Sequence, residues 1–112
     1  MTEPSGQGPG DTRRPFEHEI REELTRKIAA LEAAHDALRG RVGTEPLPVA
    51  ELFRALELAA ATVRDCAVCQ EDHFGGLIRL QPETLGDTIV ALRAAEALTR
   101  DVAAILLPFA AA

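Results

Sequence analysis

Apolar residues recur at alternating intervals of four and three along much of this chain. Leu24, Ile28, Leu31, His35, Leu38 and Val42 form the first such series. In heptad terms Leu24, Leu31 and Leu38 take position d, and Ile28, His35 and Val42 take position a, the spacing of a coiled-coil seam. Pro15 suits a first helical turn, where its missing N–H costs nothing. Glu17, Glu19, Glu22 and Glu23 crowd the following turns and complement a helix dipole. The pattern predicts a first helix over about 15–40, ended by Gly40 and Gly43.

A second series, Val49, Leu52, Phe53, Leu56, Ala59, Ala60, Val63, Cys66, Ala67 and Gln70, traces one helical face over about 48–74. Pro46 and Pro48 hold the preceding turn extended, and Gly75-Gly76 supplies a left-handed stop. Leu77 to Gln81 (LIRLQ) reads as a connection packed under the helices. Thr84 and Asp87 read as a capping pair for a third helix over about 85–107, terminated by Pro108. Its expected core face is Leu85, Ile89, Leu92, Ala95, Leu98 or Thr99, Val102, Ile105 and Leu106. Helices of this length with short connections predict an all-α antiparallel three-helix bundle, or long helical hairpins, running up-down-up. Residues 1–14 are Gly, Pro, Ser and charge. They bury too little apolar area to offset ordering entropy, so a disordered N-terminal tail is expected, with 15–112 as a single helical domain.

Composition narrows the function classes. The chain has 112 residues, enough for one domain, and its 46% hydrophobic fraction is mostly Ala, Leu and Val, with four Phe and neither Trp nor Tyr. Small side chains suit closely packed helices and give few aromatic walls for a ligand pocket. The net charge is −6 and pI about 5.0, so neutralising nucleic-acid phosphates is disfavoured. No stretch approaches the roughly 18 apolar residues of a membrane span, and the first residues lack the apolar core of a secretory leader. A cytoplasmic location is therefore expected, with the cysteines as thiols. A single lysine, Lys27, beside abundant Arg and Ala points to a high-GC bacterial genome.

Chemistry concentrates in one segment, DCAVCQEDHF (65–74), where Cys66, Cys69 and His73 follow C-x2-C-x3-H. On a helix the three share one face. Thiolates and imidazole are zinc ligands, but a structural site takes four, and Cys66 and His73 lie about 10.5 Å apart along a helix axis. His35, His18, Glu71 or a second subunit would supply the fourth. Alternatively, C-x-x-C allows thiol redox chemistry with His73 as proton relay. In a third reading the segment is a helix end without chemistry. Cys66 then packs as a small hydrophobe, Cys69 borders the core, and His73 complements the C-terminal dipole.

At these three residues the chain resembles, at motif level, the all-helical carboxymuconolactone decarboxylase / alkyl hydroperoxidase D family, over about 30 residues. The resemblance implies that Cys66 and Cys69 are the paired thiols and His73 the histidine of a redox site. Two departures accompany it. The family's helix continues past the histidine, whereas Gly75-Gly76 follows here, and Glu51 and Glu57 bracket the family's upstream glutamate position without occupying it.

No phosphate-binding glycine loop and no Ser-His-Asp set is present, and the sole serine, Ser5, is in the tail. The leading expectation is a small acidic interaction or adaptor protein without catalysis. It would act through coiled-coil-like helix association, as a homodimer or with another protein partner, through Leu24, Ile28, Leu31, His35 and Leu38. In such a seam Lys27 at g faces Glu32 at e of a parallel partner, and His35 sets register. The alternatives are a thiol redox protein and a zinc site, both at Cys66, Cys69 and His73.

Overall fold

A computed structural model describes residues 9–43, 45–75 and 80–110. Three helices account for nearly all of them: α1 (Pro9–Leu38), α2 (Val49–Gly75) and α3 (Pro82–Ala110), with no strand among the described residues. The all-α three-helix fold expected from the hydrophobic spacing is the fold observed.

Helix ends differ from expectation in informative ways. α1 begins at Pro9, so residues 9–14, assigned to the tail, are helical; residues 1–8 lie outside the described residues. Pro9, not Pro15, takes the first helical position. Pro15 sits inside the helix, where it lacks an N–H for the carbonyl of Asp11. Pro48 precedes α2 and accepts the Leu52 N–H at 3.0 Å, which makes it the cap. α3 starts three residues early. The Gln81 carbonyl accepts the Leu85 N–H at 3.0 Å, placing Pro82 at the proline-favoured first position. Thr84 therefore lies within the first turn and does not cap it. At the far end Pro108 is passed, and α3 reaches Ala110. The carbonyl that loses its donor belongs to Ala104, an exposed residue that water can serve. Gly43, at φ 79°, turns the chain after α1. Of the LIRLQ connection, Leu80 is buried, and 77–79 lie outside the described residues.

Polar contacts between helices set their directions. Arg21 meets Asp87 and His35 meets Asp101, both 66 residues apart, so α1 and α3 run parallel. Lys27 meets Asp65, and Arg41 meets Glu51, so α2 runs antiparallel to α1. α3 is the central element: α1 and α2 each pack mainly on it and touch one another little. Its buried residues are Thr84, Thr88, Ala91, Ala95, Leu98, Val102 and Ile105, an unbroken four-three series.

That series corrects the expected face. Ile89, Leu92 and Leu106 are 51%, 37% and 40% exposed, and Thr84, Thr88 and Ala91 take the interior. The reason is steric and polar together. Ala91 and Ala95 let the helix axes approach closely. The Thr88 hydroxyl donates to the Thr84 carbonyl at 2.9 Å within its own helix, so threonine enters the core without seeking water. Thr62 does the same on α2, donating to the Leu58 carbonyl at 2.9 Å. The main core joins Leu31 and Leu38 of α1, Leu52, Ala55 and Ala59 of α2, and Ala95, Leu98, Val102 and Ile105 of α3. A smaller cluster of Leu24, Cys66 and Ala91 closes the end where α1 and α3 begin.

Candidate functional site

The α1 heptad folds inward. Leu24, Leu31 and Leu38 are 5%, 0% and 2% exposed, all within the chain's own core. Ile28 and His35, at the a positions, are half-buried on the flank, and Val42 lies in the exposed turn. His35 meets the Asp101 carboxylate of α3 through Nδ1, a contact inside the chain. Lys27, expected to face a partner's Glu32, instead reaches Asp65 at 2.8 Å and Glu23 at 3.3 Å. The hydrogen bond to Asp65 holds the Lys27 ammonium above its ordinary pKa, and Lys27 in turn holds Asp65 below its own. Glu23 is lowered too, first by Arg26 and then by Lys27.

The C-x2-C-x3-H residues all fall on α2, as spacing requires. Cys66 is 5% exposed and packs with Leu24 and Ala91. The side chains of Cys69, Glu71 and His73 lie outside the described residues. Among the described residues, no group of three His, Cys, Asp or Glu is placed to hold a metal ion. Cys66 also lines an open cavity of about 230 Å³ with Ile20, Leu24, Lys27, Asp65 and Thr88.

Glu17 has an unexpected role. It is 7% exposed, and its carboxylate accepts the Gln81 N–H at 2.7 Å. It therefore serves the N-terminus of α3, where a negative charge is favoured, and not that of α1, which begins eight residues earlier. Its other oxygen and the Thr84 hydroxyl are buried without a hydrogen-bond partner among the described residues.

The single wide face read on α2 divides into two stripes. Leu52, Ala55, Ala59, Thr62 and Cys66 are buried. Val49, Phe53, Leu56, Ala60, Val63 and Ala67 form a second four-three series, and all are exposed, Phe53 at 63% and Val63 at 50%. Successive residues on a helix are about 100° apart, so this stripe lies beside the core stripe. Leu56, Ala60 and Val63 line an open groove of about 490 Å³ against Leu92, Ala95 and Thr99 of α3, with Arg64 and Glu96 at its rim. A smaller hollow of about 160 Å³ continues it between Phe53, Val49 and Leu106. The sequence carried the signal: the ten residues assigned to one face hold the whole exposed series together with Leu52, Ala59 and Cys66 of the buried one, more than one core contact consumes.

The described fold and surface thus define a three-helix bundle with an open apolar face on α2 and α3. Comparison with family models, with curated proteins and with solved structures finds no match to this chain. No described helix is long and apolar enough to cross a membrane.

Proposed function

We propose that the protein acts by helix-to-helix association, as an interaction or adaptor protein rather than a catalyst. The observation that carries this reading is the exposed heptad stripe from Val49 to Ala67. Water-exposed apolar side chains scattered singly need no explanation, but a contiguous patch rimmed by charge marks a contact surface. Here the patch has the register of a helix seam, the pattern by which helices recognise helices. The working face moves from α1 to α2 and α3, because Leu24, Leu31 and Leu38 are already engaged at home. A protein partner fits the net charge of −6 better than nucleic acid does.

A photo-crosslinking residue placed at position 60 in the producing cell tests the reading. The expected result is a discrete adduct that disappears when Val63→Glu is added. Absence of any adduct at position 60, with the chain folded and abundant, overturns it.

A further inference from the structure

Resting on that reading, we infer that the occupant of the α2–α3 face is a second copy of this chain, docked with the two α2 helices antiparallel about a two-fold axis. Three observations converge on it.

The first is register. In an antiparallel seam, a positions meet d positions of the partner. With Phe53, Ala60 and Ala67 at a and Val49, Leu56 and Val63 at d, one two-fold beside residue 58 satisfies every layer. Phe53 meets Val63 of the second copy, Leu56 meets its Ala60, and Val49 meets its Ala67. In the two inner layers and the outermost pair, a larger side chain opposes a smaller one. Large side chains facing small ones interdigitate at helix-core spacing.

The second is area. Val49, Phe53, Leu56 and Val63 of α2 and Leu92 and Leu106 of α3 are 37–63% exposed. With the neighbouring methyl groups they leave roughly 600 Å² of apolar surface in water. Two such faces bury about 1,200 Å² together, the lower bound of a stable specific interface. One foreign helix laid in the groove would cover its floor, Leu56, Ala60 and Leu92, and leave Phe53 standing in solvent. A second copy covers floor and ridge alike, because each copy brings both.

The third is charge. Glu57 and Arg64 are exposed, flank the stripe on one side, and stand one heptad apart with opposite signs. Both stand at the water-facing edge of the seam, where solvent and salt screen them. The seam itself holds no charged residue, so the −6 of each chain stays outside it.

Sedimentation velocity on the purified full chain, over a hundredfold concentration range, tests the inference. The wild type is expected at twice its 12.0 kDa. Ala60→Arg, an exposed helical substitution, should weaken dimerisation at least a hundredfold with helix content unchanged. A wild-type monomer across the range overturns the inference, as does a dimer indifferent to Ala60→Arg. The crosslink at position 60 separates the two levels. An adduct of twice the chain mass agrees with self-association. An adduct with a different chain overturns the second copy and leaves helix association standing. No adduct removes both.

Discussion

α1 and α2 carry the same apolar spacing and use it oppositely. The α1 series Leu24, Leu31 and Leu38 is at most 5% exposed, and the α2 series Val49, Phe53, Leu56 and Val63 is at least 38% exposed. Heptad spacing specifies that a helix has a partner and leaves open which one. The difference lies in how many stripes each helix has. α1 has one, and α3 absorbs it. α2 has two, 100° apart, and α3 absorbs only the first. The surplus stripe faces outward because the described residues form three helices, and filling the α2–α3 groove takes a fourth.

The sharpest way to break this contrast is to charge each stripe in turn. Leu31→Glu puts a carboxylate at a fully buried site, and the chain is expected to lose cooperative folding. The milder Leu31→Ala should cost about 3 kcal/mol in urea unfolding followed by circular dichroism. Val63→Glu, measured on dilute monomer, should cost no more than about 0.5 kcal/mol. Equal losses at the two positions would show that the stripes are not different in kind.

Fold class and helix count were legible in the sequence because apolar periodicity survives any choice of partner. Which face of α3 turns inward was not. By hydropathy Ile89 and Leu92 were placed in the interior, and Thr84 was read as a cap. The choice is made by axis-to-axis distance: Ala91 and Ala95 permit a close approach on the threonine side, and threonine can satisfy its hydroxyl on its own helix. The helix starts were misplaced because Pro15 and Thr84 carry start signals that Pro9 and Pro82 also carry, six and two residues earlier. At the candidate site, the residue types were visible but their destinations were not. Leu31 and Phe53 are equally good knobs on paper, and only the position of α3 decides which one water reaches.

Two smaller effects sharpen the account of the interior. Thr84 is fully buried, and its hydroxyl has no hydrogen-bond partner among the described residues. Thr84→Val keeps the shape and removes an unsatisfied polar group, so stability should rise by about 1 kcal/mol in the same unfolding assay. A loss of stability would mean that the hydroxyl is satisfied in solution by a bound water. Cys66 is the α2 core residue at the end of the bundle where α1 and α3 begin. In a Cys69→Ser background, its thiol should react with an aromatic disulfide reagent at least about tenfold more slowly in the native protein than in urea, because reaction requires local opening. Reaction at the unfolded rate would place Cys66 on the accessible side of its cavity and favour the thiol-redox reading over the packing one.

The smallest expected effect concerns the bridge that joins α1 to α2 across their sparse contact. Lys27 lies against both Asp65 and Glu23, with Asp65 nearer at 2.8 Å. Both carboxylates are about half exposed, so water screens the pair and its contribution is no more than about 1 kcal/mol. Its pH dependence has a definite sign. Asp65 is held below its ordinary 3.8, so its share is present above that value and is lost as pH falls through the depressed one. Lys27 is held above its ordinary 10.5, so its share is present below that value and is lost as pH rises through the raised one. Between those limits the bridge should contribute a constant amount. Lys27→Met keeps most of the apolar stem and deletes the charge. Its stability deficit against the wild type should be flat from about pH 5 to 9 and shrink at the acid end as Asp65 takes up its proton. A deficit that persists undiminished below pH 3 would assign Lys27 a packing role over Cys66 instead of an ionic one. In that event α1 and α2 meet at this end of the bundle through apolar packing, with the Lys27 stem beside Leu24 and Cys66.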